Sequence, residues 1–173
     1  QLPPGSHVLV SCITDPGTLN AILLNRLVPV LVDTMPGPYN IGPEQVLERM
    51  SDRARAVVVV HMAGKAAPVD RIAENASSRG IFVVEDCSQA HGATIHGKKV
   101  GTFGDIAAFS TVYAKIHATG GCGGVVFSRN KDLYELARAH ADRGKPFGRP
   151  DFNDRDPTTF LFPALNLNID QLS

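Results

Sequence analysis

Ile81-Phe82-Val83-Val84-Glu85-Asp86 is the stretch that decides the fold. Four apolar residues in an unbroken run, followed at once by two carboxylates, read as a strand covered on both faces that emerges at a polar edge. Val57-Val58-Val59-Val60 repeats the apolar part of that signature further upstream. Working outward, β-rich runs recur at His7–Ser11, Val28–Asp33, Ala56–His61, Ile81–Asp86, Ile106–Ser110 and Gly124–Ser128.

Helical patterns fall between them. Gly17–Arg26 carries Leu19, Ile22 and Leu23 at helical spacing, and Pro43–Met50 opens on a proline suited to a first turn. Pro68–Arg79 places Val69, Ile72, Ala73 and Ala76 on one stripe, with Gly80 where a C-cap belongs; Asp132–Ala141 repeats Leu133, Leu136 and Ala137. Strand–helix alternation of this kind predicts an α/β fold: three layers, α/β/α, around a mostly parallel mixed sheet. The last two strands are joined by the Gly-rich stretch Thr119–Gly124. From Asp142 to Leu165 the chain has no period and is rich in Pro, Gly, Asp and Arg, which predicts one long loop over 142–165.

Composition narrows the function. Seventeen basic residues balance seventeen acidic ones, so no overall field draws the chain to nucleic acid or an anionic membrane. The apolar runs are too short to span a bilayer. Three scattered cysteines, Cys12, Cys87 and Cys122, form no Cys-x-x-Cys pair, which speaks against a structural metal or a disulfide framework and for a reducing, cytoplasmic setting.

Ligands of open α/β sheets bind beyond the carboxyl ends of the strands. Asp86 stands there, although alone it would read first as a cap of the turn Cys87-Ser88-Gln89. Lys115 follows the strand that ends at Ser110, and alone it would be a solvated surface lysine. Four glycines within Gly120–Gly124 allow close backbone approach to a ligand, or a tight chain reversal.

Taken jointly, Glu85-Asp86-Cys87-Ser88-Gln89-Ala90-His91-Gly92, the segment Gly101–Ser110, Lys115 and the glycine stretch resemble the DegT/StrS family of pyridoxal-phosphate-dependent sugar-nucleotide aminotransferases. Val30–Asp33, Tyr39–Glu44 and His61–Gly64 are similar in order and spacing. The resemblance implies that residues 1–173 are the central part of a PLP-binding large domain, truncated at both ends. The family's upstream phosphate loop and C-terminal small domain would lie outside it. It implies Lys115 as the Schiff-base lysine and catalytic residue, Asp86 at the pyridine nitrogen, and Gln89 at the phenolic oxygen. Ser110 would serve the phosphate, and Asn166 the phosphate of a neighbouring subunit in a homodimer.

Pyridoxal 5′-phosphate is then the cofactor, with an amino donor (glutamate by resemblance) and a nucleotide-linked keto sugar as substrates. A sugar dehydratase and a non-catalytic, cofactor-binding regulator are the alternatives. Two positions depart from the family pattern: Asp15 stands where many members carry a ring-stacking aromatic, and Asn168 where many carry arginine. Arg143, Lys145, Arg149 and Arg155 read as a solvated loop whose charge nearby aspartates cancel. Asp170 reads as the N-cap of a further helix.

Overall fold

The computed structural model describes residues 2–168, so the expected cap at Asp170 lies outside the described residues. Six strands form one sheet: β1 (His7–Ser11), β2 (Val28–Val32), β3 (Ala54–Val60), β4 (Phe82–Asp86), β7 (Ile106–Ser110) and β8 (Gly124–Phe127). Between β4 and β7 a small hairpin, β5 (Thr94–Ile95) and β6 (Lys98–Lys99), forms a sheet of its own that the apolar pattern did not reveal. In the large sheet the order is β2-β1-β3-β4-β7-β8, parallel except for the antiparallel pair β7–β8. The Gly-rich segment thus makes the chain reversal that the sequence allowed.

Helices cover both faces. Leu9, Val57, Val59 and Val83 point to the side where α2 (Pro43–Glu48) and α3 (Val69–Ser77) supply Val46, Val69, Ile72 and Ala76. Their strand neighbours Val8, Val10, Ala56, Val58 and Val60 meet Ile22 and Leu19 of α1 (Pro16–Leu24) on the other side. The period of two along a strand is what splits one apolar run between two cores. The burial expected for Val57–Val60 is complete, none of the four exceeding 8% exposure. Strand β8 differs: it lies at the sheet's end, and Val125, Val126 and Phe127 are all exposed.

Helix α4 (Lys131–Ala141) is capped by Asn130, whose side chain accepts from the N–H groups of Asp132 and Leu133. The segment after it is more ordered than its composition suggests. Its two ends meet, Arg143 N–H donating to Leu165 C=O at 2.9 Å and Leu167 N–H to Ala141 C=O at 2.7 Å. One short 3-10 turn, Pro157–Thr159, interrupts it. Lys145 corrects the reading of a solvated loop: it is buried, paired with Asp154, and lies between the rings of Phe147 and Phe160 at 6.0 and 5.9 Å.

Candidate active site

Strand order reverses between β2-β1 and β3-β4, and at such a switch point the loops leaving the carboxyl ends diverge and leave a crevice. A cavity of about 390 Å³ opens there. Thr14, Asp15 and Thr18 reach it from the segment after β1, and Met62 from the turn after β3; Asp86 and Gln89 come from the end of β4 and its following turn, and Ser110 and Lys115 from β7 and beyond. Four of the five expected cofactor residues, Asp86, Gln89, Ser110 and Lys115, therefore line one space although they span thirty positions of chain.

Asp86 is the last residue of β4, in register with Val60 and Ala108 on its neighbours. One carboxylate oxygen accepts the Ser88 N–H at 3.0 Å and the other the Thr18 hydroxyl at 3.3 Å, while Thr14 donates to Thr18 at 3.2 Å. The turn-capping role and a place in the cavity are thus combined in one side chain. Gln89 is oriented by its acceptor: Oε1 takes the Ala63 N–H at 2.7 Å, which directs the amide so that Nε2, a donor only, remains for another partner. Ser110 Oγ accepts the Val112 N–H at 3.4 Å, and its hydroxyl proton can serve an anion. Lys115 is partly buried at the end of a turn in which its N–H donates to Val112 C=O at 2.8 Å.

Asn166 does not join them. It is exposed, forms an isolated antiparallel bridge with Asp142, and accepts the Asn168 N–H at 3.2 Å. Asp15 has a local task, capping α1 by accepting the Gly17 N–H at 2.7 Å. An N-cap needs a short acceptor side chain, which an aromatic residue at this position would not supply.

Beside the cavity lies a buried pair that sequence reasoning passed over. Glu85, wholly buried, accepts the backbone N–H groups of Gly101 (2.6 Å), Phe103 (2.7 Å) and Gly104 (2.6 Å) and sits 3.1 Å from His61 Nε2. His61 Nδ1 accepts the Ala67 N–H at 3.0 Å, so the ring is neutral and its proton is on Nε2, facing Glu85. Burial pushes the Glu85 carboxyl up, but the His61 bond and the three backbone donors outweigh it and hold the group below its ordinary value.

Cys87 lies close enough for His61, Glu85 and Cys87 to suggest a metal centre. The chemistry opposes it. Both imidazole nitrogens and both carboxylate oxygens are already engaged, and burial with the nearby Glu85 and Asp86 charges keeps the thiol protonated. His91 packs against Phe109 and His117 at 5.6 and 5.3 Å between ring centroids.

The amino-acid sequence matches a known pattern over nearly its whole length: the model of the DegT/DnrJ/EryC1/StrS aminotransferase family matches residues 1–172. The chain belongs to this family. It is 36% identical over 145 residues to a dTDP-4-dehydro-2,6-dideoxy-D-glucose 3-dehydratase of Saccharopolyspora spinosa, covering 84% of this chain and 31% of that one. To a dTDP-3-amino-3,6-dideoxy-alpha-D-galactopyranose transaminase of Aneurinibacillus thermoaerophilus it is 37% identical, covering 76% and 36%. An aminotransferase structure from Psychrobacter cryohalolentis superposes with a TM-score of 0.88 at 31% identity, over 97% of this chain and 43% of that one. The chain therefore spans about a third of the length of these curated DegT/DnrJ/EryC1/StrS relatives. Among the described residues no helix is long and apolar enough to cross a membrane.

Proposed function

We propose that the protein containing this chain is a pyridoxal-phosphate-dependent aminotransferase that moves an amino group from an amino acid, glutamate by family resemblance, to a nucleotide-linked keto sugar. The observation that carries the reading is the convergence of Lys115, Asp86, Gln89 and Ser110 on one cavity at the switch point of the sheet. The donor set suits this cofactor. Asp86 is an acceptor for a protonated pyridine nitrogen, Gln89 Nε2 a donor for the phenolic oxygen, Ser110 a donor for phosphate, and Lys115 an amine for the aldehyde.

Once bound, the cofactor supplies an electron sink for a carbanion. The chain's residues do the rest. Lys115 would hold the cofactor through its amine, used in the neutral form, and would carry a proton to and from the substrate carbon. Asp86 keeps the pyridine nitrogen protonated. The pair Thr14–Thr18 holds one Asp86 oxygen, and Ser88 the other, so the carboxylate is preoriented before any ligand arrives. Asn166, on an exposed segment away from this cavity, is free to reach a second copy, and we assign it to a homodimer's neighbouring phosphate. Three free cysteines suit a reducing compartment, which we take to be the cytoplasm.

Dehydration is the competing reading, because one relative is named a sugar 3-dehydratase. The resemblance implies histidine at the lysine position in dehydratases of this kind, and Lys115 argues against that branch. The decisive experiment uses the full-length protein with pyridoxal phosphate. We expect visible absorbance that borohydride abolishes while leaving the label on Lys115, and conversion of the bound aldehyde to the amine form by glutamate. Labelling without that conversion would favour a passive regulator, and no labelling would overturn the reading.

A further inference from the structure

We propose that His61 and Glu85 are positioning residues that orient the Gln89 amide through the turn after β3, an inference that rests on reading the cavity as the cofactor site. Glu85 and Asp86 are consecutive on β4 and point to opposite faces, so the carboxylate buried behind the sheet cannot touch a ligand in front of it. A buried ion needs all its lone pairs served, and Glu85 has four donors within 3.1 Å, three from the turn 101–104 and one from His61. That turn tolerates little change: a Cβ on Gly101 would lie 2.4 Å from the Phe109 ring, and one on Gly104 2.7 Å from Val83 C=O.

The pair then reaches forward. His61 is tied to β4 a second time, its backbone N–H donating to Asp86 C=O at 3.1 Å. Asn40, also buried, clamps the same turn from the other side: Oδ1 accepts the Met62 N–H at 3.0 Å and Nδ2 donates to Lys65 C=O at 2.8 Å. Between the two clamps is Ala63 at φ +53°, left-handed backbone that a residue with a side chain holds only when its surroundings over-determine it. The Ala63 N–H, aimed by that conformation, is the donor that fixes Gln89 Oε1 at 2.7 Å. Stability accounts for Glu85, whose loss would leave three backbone N–H groups without an acceptor, but it does not require a histidine with a second bond to Ala67 at the other end of the contact. A demand for orientation explains it better.

The test is a double-mutant cycle on cofactor affinity, read by absorbance titration of the full-length apoprotein with pyridoxal phosphate. His61→Leu and Gln89→Leu should each raise Kd about tenfold. The double variant should be no weaker than Gln89→Leu, because both act on one contact. His61→Gln, able to donate to Glu85 and accept from Ala67, should recover most of the loss. Additive effects, or an unchanged Kd in His61→Leu, would overturn the proposal.

If circular dichroism shows His61→Leu unfolded, Asn40→Asp takes its place. It removes the donor to Lys65 and must weaken binding non-additively with Gln89→Leu; wild-type affinity there would also overturn the proposal. A wild-type protein that takes up no borohydride-reducible cofactor would overturn the parent reading instead, and is seen before any variant is made.

Discussion

Replacing Asp86 by asparagine separates charge from shape at the proposed cofactor site. The asparagine oxygen can keep the Ser88 N–H now held at 3.0 Å, and its amide can donate to the Thr18 hydroxyl, which at present donates to Asp86 at 3.3 Å. The local hydrogen bonds are therefore conserved in number, and we expect the thermal midpoint to fall by no more than a few degrees. Loss of the negative charge is another matter. An ion pair with a protonated pyridine nitrogen at about 4 Å is worth about 4 kcal/mol at an effective dielectric near 20, a value suited to a half-exposed site. Transmitted fully to the barrier, that is about a thousandfold in kcat. The assay is steady-state transamination with glutamate, run beside a pH titration of the cofactor absorbance. Activity within about tenfold of wild type, with the absorbance titration unchanged, would refute the assignment of Asp86. A large fall in thermal midpoint would refute the claim that its role is electrostatic.

Three further outcomes follow from the buried contacts. Glu85 has its folded-state carboxyl held below the ordinary value, so its stabilisation is present above the unfolded pKa and is lost as pH falls through the folded one. Urea midpoints of wild type should thus drop more steeply between about pH 5 and 3 than those of Glu85→Gln, and parallel curves would contradict this. Gly101→Ala places a Cβ 2.4 Å from the Phe109 ring at φ +83°, and we expect about 1–3 kcal/mol of destabilisation in thermal or denaturant unfolding; no loss would show that the turn can relax. Lys145→Ala removes the cation enclosed by Phe147, Phe160 and Asp154, so limited proteolysis should cut within 146–156 several-fold faster, with the sheet intact.

How much of this was legible beforehand depends on the range of the interaction. All six strands of the main sheet stand within two residues of their expected bounds, because runs such as Val57–Val60 encode burial directly in local sequence. Hairpin β5–β6 escaped, as two-residue strands carry no periodicity; the signal was in its turn, where His96 and Gly97 both take positive φ, the geometry of the tight hairpin loops in which glycine is favoured. Lys145 was misread because charge counting cannot see that Phe147 and Phe160, two and fifteen positions further on, close around it.

The candidate site divides along the same line. Strand ends put Asp86 at the ligand edge, but Lys115 alone would have passed for a surface lysine, and it was the family resemblance that joined Asp86, Gln89, Ser110 and Lys115 in one reading. The contact between Glu85 and His61 was not legible in this way. Each sits next to a motif residue or a strand exit and looks, as text, like a surface polar group. Only the register of β3 on β4, with Val60 opposite Asp86, reveals that the histidine after one strand faces the glutamate inside the next. A buried imidazole–carboxylate contact across 24 positions is a property of topology, so residues that hold a site in place are harder to read from sequence than residues that would touch its ligand.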